Sequence, residues 1–259
     1  MSVIDSRAII SPSARIGNGS KIGPYAVVGD DVELGDESVL DHHAVVHGPS
    51  KFGKHNHFYS FCAVGVDPQD LTFKNERVSL EAGDKNDFRE FCTVSRGTKK
   101  GGGVTRVGNE NLVMAYAHIG HDCQVGDHTI FVNGATLAGH VTVEDYVTIG
   151  NFSPVQQFCR IGQHAYIGAH TVITQDVPPF SKIVSPRDTR CYGVNSVGLS
   201  RHGFSADRIE AIEKAYRFLI RSKLNTTQAV EKMRGTLSHS EDVLTLIRFI
   251  ESAERGLTK

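Results

Sequence analysis

The sequence predicts a mostly β chain: a parallel β-helix followed by a small C-terminal helical module. Two observations carry the β-helix. An apolar residue returns at every sixth position from Val107 to Ile173 without a miss: Val107, Val113, Ile119, Val125, Phe131, Leu137, Val143, Ile149, Val155, Ile161, Ile167 and Ile173. Neither the 3.6-residue period of a helix nor the two-residue alternation of a flat strand produces this spacing. A fixed period of this kind marks stacked coils. Glycine directly follows several of these residues (Gly108, Gly120, Gly126, Gly150, Gly162, Gly168). That is expected at corners, because glycine reaches φ > 0 without steric cost. Each hexad is then one short strand plus a corner, and three hexads close one triangular turn of about eighteen residues. A third observation predicts the helices: past Asp176-Val177-Pro178-Pro179 the apolar spacing changes to that of a helix.

The hexad begins early, at Ile4, Ile10, Ile16, Ile22, Val28, Leu34, Leu40, Val46, Phe52, Phe58 and Val64. Its next two slots hold Asp70 and Glu76, and it resumes in phase at Ala82, Phe88 and Val94. The segment near 66–79 is therefore an excursion from the coil. A second excursion lies near 96–106, a basic, flexible loop containing Arg96-Gly97-Thr98-Lys99-Lys100-Gly101-Gly102-Gly103. Loops that interrupt a strict solenoid are natural carriers of function. The coil with these loops is assigned to 1–190, and 191–259 to a connector and the helical module. The connector is expected to be irregular as far as Gly203. Ser205 then caps a helix with Ile209, Ile212, Tyr216, Leu219 and Ile220 on one face; a second follows Asn225, and Ser240 caps a third.

Composition narrows the function classes. The net charge is −1 and 39% of residues are hydrophobic. Bulk charge thus gives no reason to expect nucleic acid or an anionic membrane as partner. The N-terminal stretch lacks the charged-then-apolar pattern of a signal peptide, and no run of ~18 apolar residues occurs. A cytoplasmic protein is expected. Of five cysteines, Cys62, Cys92, Cys123 and Cys159 each lie four residues after a repeat residue, a slot also held by Ala14, Ala26 and Ala44. They read as small core residues, not as disulfides or zinc ligands; Cys191 lies outside the repeat.

Most of the 13 histidines, including His42, His43, His55, His57 and His128, occupy outward slots and read as solvated. His118 and His121 differ, since they flank the inward Ile119. One turn beyond His121 stands Gly139, beside His140, and one turn further Gln157. Strands stack ~4.8 Å apart, so His121, Gly139 and Gln157 form a column. This arrangement suits acyl transfer. A histidine accepts a hydroxyl proton, Asp122 orients it, and a glycine amide donates to an oxyanion. The rivals are a zinc centre built from three histidines, as in a carbonic-anhydrase-like enzyme, and a structural solenoid without catalysis.

Over essentially its whole length the chain resembles the acyl-carrier-protein-dependent UDP-N-acetylglucosamine O-acyltransferases that begin lipid A synthesis. The resemblance rests on the hexapeptide coil, on Gln69-Asp70-Leu71, on Arg96-Gly97-Thr98 with Gly101-Gly102-Gly103, and on His118-Ile119-Gly120-His121-Asp122-Cys123. It continues through Asn133 to Val141, Gln157-Phe158-Cys159, Asp176-Val177-Pro178-Pro179, Gly193-Val194-Asn195, Arg201-His202-Gly203-Phe204 and the helical tail. Hexapeptide-repeat proteins coil left-handed, so the resemblance implies a left-handed β-helix. It implies His121 as general base on the sugar 3-hydroxyl, Asp122 as its assistant and Gly139 as oxyanion donor. Gln69, Asp70, His118, His140, Gln157, Asn195 and Arg201 match positions that line substrate and pantetheine. It further implies a homotrimer with sites between subunits, acyl carrier protein and a UDP-amino sugar as partners, and neither metal nor resident cofactor; the 4′-phosphopantetheine arrives on the carrier protein. Ser95, Thr72, Gln156, Val197 and the Ser185-Pro186-Arg187 turn depart from the family pattern. They cluster at substrate contacts, so the implied acceptor is UDP-N-acetylglucosamine, its 3-amino analogue or another sugar nucleotide. The family's acyl chain lies along the coil and ends at a stop, here matched by Ala169. That residue is two and two-thirds turns above His121, or ~13 Å, which implies donors shorter than fourteen carbons.

Overall fold

The computed structural model describes residues 1–184, 190–254 and 256–258; the Ser185-Pro186-Arg187 turn lies outside them. Residues 1–184 form the expected left-handed parallel β-helix. Its short strands stack into three sheets. Sheet 1 carries Ile4, Ile22, Leu40, Phe58, Phe88, Val113, Phe131, Ile149, Ile167 and Ile183. Sheet 2 carries Ile10, Val28, Val46, Val64, Val94, Ile119, Leu137 and Val155, and sheet 3 Ile16, Leu34, Phe52, Ala82, Val107, Val125, Val143 and Ile161. Every hexad residue from Val107 to Ile173 is buried. At the N-terminal end the burial fails: Ile4 is 47% exposed, because the first coil has a neighbour on one side only.

The corners are built differently from the glycine expectation. The left-handed residue stands three positions after each inward residue and is almost always not glycine: Tyr25, His43, Phe61, Phe91, Tyr116, Asp122, His128, His140 and Phe158 all have φ between +56° and +66°. The cost of that conformation, about 1–2 kcal/mol for an L-residue, is offset where rings stack along an edge. Tyr25, His43, Phe61, Phe91 and Tyr116 form such a ladder, with centroids 5.1–5.3 Å apart. Aromatic pairs contribute about 0.5–1.5 kcal/mol each. Of the glycines that follow the inward residues, all but Gly65 (φ 78°) have ordinary φ and serve close approach instead. A Cβ on Gly35 would lie 2.3 Å from the Gly53 carbonyl oxygen of the next coil, and one on Gly150 2.6 Å from the Ala169 nitrogen.

Both loop excursions leave the same edge, between sheets 2 and 3. The first joins Val66 to Ser79 and the second joins Ser95 to Val104. Ala82 therefore pairs beside Phe52 and Val107 in sheet 3. The 18 positions from Val64 to Ala82 span one corner, not three hexads. The four cysteines of the repeat are buried and free, as is Cys191. Inside the coil a ladder of Asn56, Asn86 and Asn111 passes hydrogen bonds of 2.9–3.0 Å from turn to turn, so the buried amides stay paired.

The segment after 190 is not an irregular connector. Arg190–Val194 is a strand antiparallel to Ser181–Val184, extending sheet 1. Helices α1 (Ser196–Arg201), α2 (Ala206–Tyr216, continued by a π turn over Arg217–Arg221), α3 (Thr226–Leu237) and α4 (Glu241–Glu251) follow. Ser205, Asn225 and Ser240 cap the last three, Asn225 in a reciprocal capping box with Gln228. Coil and helices share one core: Tyr216 is buried and its hydroxyl donates to the Pro179 carbonyl. Arg160 of sheet 3 lies 4.6 Å from the Phe249 ring of α4. None of the described helices is long and apolar enough to cross a membrane.

His164 sits where coil and helices meet. The residue is 8% exposed, its ring stacked 4.7 Å from Tyr146 and edge-on to Phe204 at 4.9 Å. Burial, helped by the nearby His202, lowers its pKa to about 4. A histidine depressed in the folded state favours folding when neutral, and that contribution is lost as pH falls from 6.5 through about 4. His164→Phe is therefore expected to raise stability at pH 5 by about 2 kcal/mol relative to wild type, with a much smaller change at pH 8. Melting temperatures at the two pH values check this; an equal shift at both contradicts it.

Candidate active site at the edge between sheets 2 and 3

His118 and Ile119 form one two-residue strand of sheet 2, paired with Thr136-Leu137 above, which pairs in turn with Pro154-Val155. This register stacks His121, Gly139 and Gln157 at successive levels of one edge, as the spacing requires. The contact is close: a Cβ on Gly139 would lie 2.4 Å from His121 Cε1 and 2.7 Å from Nε2. Only glycine leaves room for the imidazole there. The Gly139 N–H donates to none of the described residues, so it is available as a donor, although Gly139 itself is buried beneath the ring.

Asp122 occupies the left-handed corner next to His121, with its side chain 1% exposed. Its Oδ2 lies 2.8 Å from His121 Nδ1. Nδ1 carries the proton when it donates to this carboxylate, which leaves Nε2 with a free lone pair. The same carboxylate accepts hydrogen bonds from the Thr98 N–H (2.7 Å) and the Thr98 hydroxyl (2.6 Å). The Asp122 N–H donates to the Thr105 hydroxyl at 2.8 Å. Gly101 lies against the carboxylate so closely that a Cβ would come within 2.1 Å of Asp122 Cγ. Sequence reasoning assigned no role to Thr98, Gly101 or Thr105, because these contacts cross 17 to 24 residues within an insertion that has no period to count by.

The second loop is consequently pinned. Besides Thr98, Arg96 donates to the Gly48 carbonyl and to Asp67, and Lys100 Nζ donates to the Thr72 hydroxyl at 3.0 Å. One turn of 3₁₀-helix spans Lys99–Gly101. Thr72, a departure from the family pattern, also donates to Asp70 through its N–H (2.7 Å) and hydroxyl (2.8 Å). These bonds, and the positive charge of Lys100, hold the Asp70 carboxyl below its usual range. Between the loops lies a cleft of about 340 Å³, lined by Thr72, Phe73, Glu76, Thr98, Lys99 and Lys100. Gln69 is exposed in the first loop. Ser95 is buried, with its hydroxyl oxygen unpaired among the described residues.

His140 stands at the corner above Asp122. It stacks on Phe158 at 4.6 Å and meets His121 edge-on at 5.1 Å, with Nε2 3.7 Å from Asp122 Oδ2. His118 is half-buried and shares a 2.7 Å hydrogen bond with the Thr93 hydroxyl. Burial, then the charge of His121, lowers its pKa. His121, Asp122 and His140 bring ligand atoms within 4.8 Å of one another, enough to gather a cation, but His118 is not in that group. Gln157 and Gln156 are both exposed above the site. Several outer histidines are partnered, not merely solvated: His55 with Glu37, His57 with Asp41, and His128 with Glu110 and the Tyr146 ring.

Two expected site residues lie elsewhere in the chain. Asn195 caps α1, accepting from the Gly198 N–H at 3.3 Å and donating to the His164 carbonyl at 3.2 Å. Arg201 is exposed at the end of the same helix, and Val197 is 64% exposed within it. Both Asn195 and Arg201 belong to the edge between sheets 3 and 1, where His164, Tyr146 and His202 cluster. Ala169 lies on the remaining edge, after Ile167 of sheet 1. The column above His121 continues through Gly139 and Gln157 to Gln175, since Val155 bridges Ile173. Ala169 is therefore not in line with His121 within one chain, because two and two-thirds turns end one edge short of the starting one.

Comparison with known proteins adds to this geometry. Residues 13–48 and 105–139 match the bacterial transferase hexapeptide model, and 176–258 match the second domain of UDP-N-acetylglucosamine O-acyltransferase. The chain is 45% identical over 259 residues, covering 100% of both chains, to the acyl-(acyl-carrier-protein)–UDP-N-acetylglucosamine O-acyltransferase of Thermodesulfovibrio yellowstonii. It is also 45% identical to that of Stenotrophomonas maltophilia, covering 99% of this chain and 97% of the relative. Among solved structures, the Francisella novicida UDP-N-acetylglucosamine acyltransferase superposes with a TM-score of 0.95 at 35% identity, covering 98% of this chain and 93% of that one. The Arabidopsis enzyme superposes at 0.87 with 31% identity, covering 99% and 100%. Likeness of this extent takes in both loops, the histidine edge and the helical module together, and the chain belongs to the UDP-N-acetylglucosamine O-acyltransferase family.

Proposed function

We propose that the chain moves a (3-hydroxy)acyl group from acyl carrier protein to the 3-position of UDP-N-acetylglucosamine or its 3-amino analogue, the opening step of lipid A synthesis. The observation that carries this is the His121 ring, tied through Nδ1 to Asp122 and laid against Gly139. Nε2 takes the proton of the acceptor hydroxyl as its oxygen attacks the thioester carbonyl. The oxyanion accepts from the Gly139 N–H. Collapse expels the pantetheine thiolate, which recovers the proton from His121. No group of the protein is acylated and no resident cofactor enters the step. Lys99 and Lys100 line the cleft between the loops, and ammonium groups there suit a diphosphate.

The working unit is a homotrimer in this reading. One chain places Asn195 and Arg201 on a different edge from His121, and threefold packing of triangular prisms can bring the two edges together. Arg201 then serves the phosphopantetheine and the acidic carrier protein. Arg201→Ala is expected to raise the KM for acyl carrier protein and to flatten the loss of activity with salt; unchanged kinetics in both respects remove it from the site. Sedimentation that shows a fully active monomer removes the trimer. Acylation of the sugar takes place in the cytoplasm; the five free, buried cysteines suit a reducing compartment. Incubating the protein with carrier proteins of varied chain length and with UDP-sugars bearing 3-OH or 3-NH₂, then weighing the products, tests the reading. No acylated sugar nucleotide in any combination overturns it.

A further inference from the structure

We propose that Thr98, in the second loop, is the positioning residue of the catalytic pair: its hydroxyl sets the orientation and basicity of Asp122, and through it the proton affinity of His121. The proposal rests on the acyl-transfer reading above. Thr98 is 4% exposed, and its hydroxyl has two partners of fixed sense. The oxygen accepts from the Gly101 N–H at 3.2 Å, so its proton is directed at Asp122 Oδ2, 2.6 Å away. Asp122 Oδ2 is the oxygen that faces His121 Nδ1. Oδ1 is held separately by the Thr98 N–H at 2.7 Å. The carboxylate thus has both oxygens occupied by one residue of the loop, with Gly101 closing over it and no room for a Cβ. His140 Nε2, 3.7 Å from Oδ2, is the other cationic side chain in ion-pair range of this carboxylate among the described residues; the buried Cys123 thiol also adjoins it, and Asp70 and His118 act electrostatically on His121.

The physical consequence is specific. A carboxylate that accepts a hydroxyl proton is less basic than one that does not, because the hydrogen bond stabilises its charge. Thr98 therefore restrains Asp122 from over-stabilising the imidazolium that forms as Nε2 takes the proton. It also fixes the carboxylate plane that selects the Nε2 base tautomer. Loss of the hydroxyl removes one of the hydrogen bonds that hold the carboxylate and leaves Oδ2 to His121 alone.

Thr98→Val keeps the shape and the backbone N–H but removes the hydroxyl. The expected result is a fall in kcat of roughly 10- to 100-fold, the scale of one hydrogen bond to a charged group. KM for both substrates should stay within about threefold, and the acid limb of the kcat/KM profile should move to higher pH. Thr98→Ser, which retains the donor, restores both kcat and the acid limb. Thr98→Ala, which removes the hydroxyl and keeps the backbone N–H, gives the same signature and serves if the valine variant does not fold. A purely structural anchor would raise KM or lower the melting temperature and leave the acid limb in place. Valine and alanine variants with wild-type kcat, a loss confined to KM, or no rescue by serine overturn the proposal. If wild type transfers acyl groups and His121→Ala does not, such a result leaves the acyl-transfer reading standing; if wild type transfers nothing, it is that reading which fails.

Discussion

His121→Ala is expected to lower kcat for acyl transfer by roughly 10²–10⁴-fold, the usual weight of a positioned general base, with the fold intact. The imidazole is at the outer corner that follows the strand His118–Ile119, whose inward residue Ile119 the substitution leaves alone. The residue's backbone carbonyl still accepts from the His140 N–H at 2.9 Å, so the ladder at that corner is unaffected. Loss should appear in kcat and kcat/KM together, because the proton transfer it supports occurs only in the transition state. Turnover within a few-fold of wild type, measured with the same carrier protein and acceptor, removes His121 from the chemistry.

Gly139→Ala is the second large effect. The added methyl lands 2.4 Å from His121 Cε1 and 2.7 Å from Nε2, well inside contact distance, and Gly139 is tied into the coil through its carbonyl, which accepts from the Phe158 N–H. The ring must yield, since the backbone beneath it is part of the stack. Displacing it breaks the Nδ1–Asp122 alignment and shifts Nε2 relative to Gly139. Removing one oxyanion donor costs about 10²–10³-fold in other systems, and here base and donor are disturbed together. We expect a drop of at least that size, with far-ultraviolet circular dichroism unchanged. An alanine variant that works at the wild-type rate contradicts the placement of base and oxyanion donor on one edge.

Much of the coil is legible in the sequence because each hexad repeats the same physical demand: one inward apolar residue and one tight approach to the next turn. The column of His121, Gly139 and Gln157 follows from counting eighteen, since no insertion falls between them. Counting fails at the loops. The interval from Val64 to Ala82 is eighteen residues, the length of a full turn, so Asp70 and Glu76 look like strand slots that lapsed. In fact the segment from Val66 to Ser79 leaves and returns at one corner, and the segment from Ser95 to Val104 does the same. That shared edge brings both loops to His121, and no period in the sequence reports it. The Thr98–Asp122 clamp is invisible for the same reason. The glycine corners mislead in a different way: glycine is needed for contact between coils, while side-chain stacking sustains left-handed tyrosine, phenylalanine and histidine. Asn195 and Arg201 belong to an edge that no count from His121 reaches.

The clustering of His121, Asp122 and His140 also makes the choice of chemistry experimentally sharp, because three such groups serve either proton transfer or a cation. The most direct measurement is acyl transfer by protein stripped of metal with a chelator, read as the mass of the sugar nucleotide after incubation with acyl carrier protein. Base catalysis by His121 requires that the stripped protein add one acyl group per sugar nucleotide at the full rate, with no gain when zinc is returned. A product that forms only after zinc is returned, or a sugar nucleotide of unchanged mass with and without metal, contradicts it.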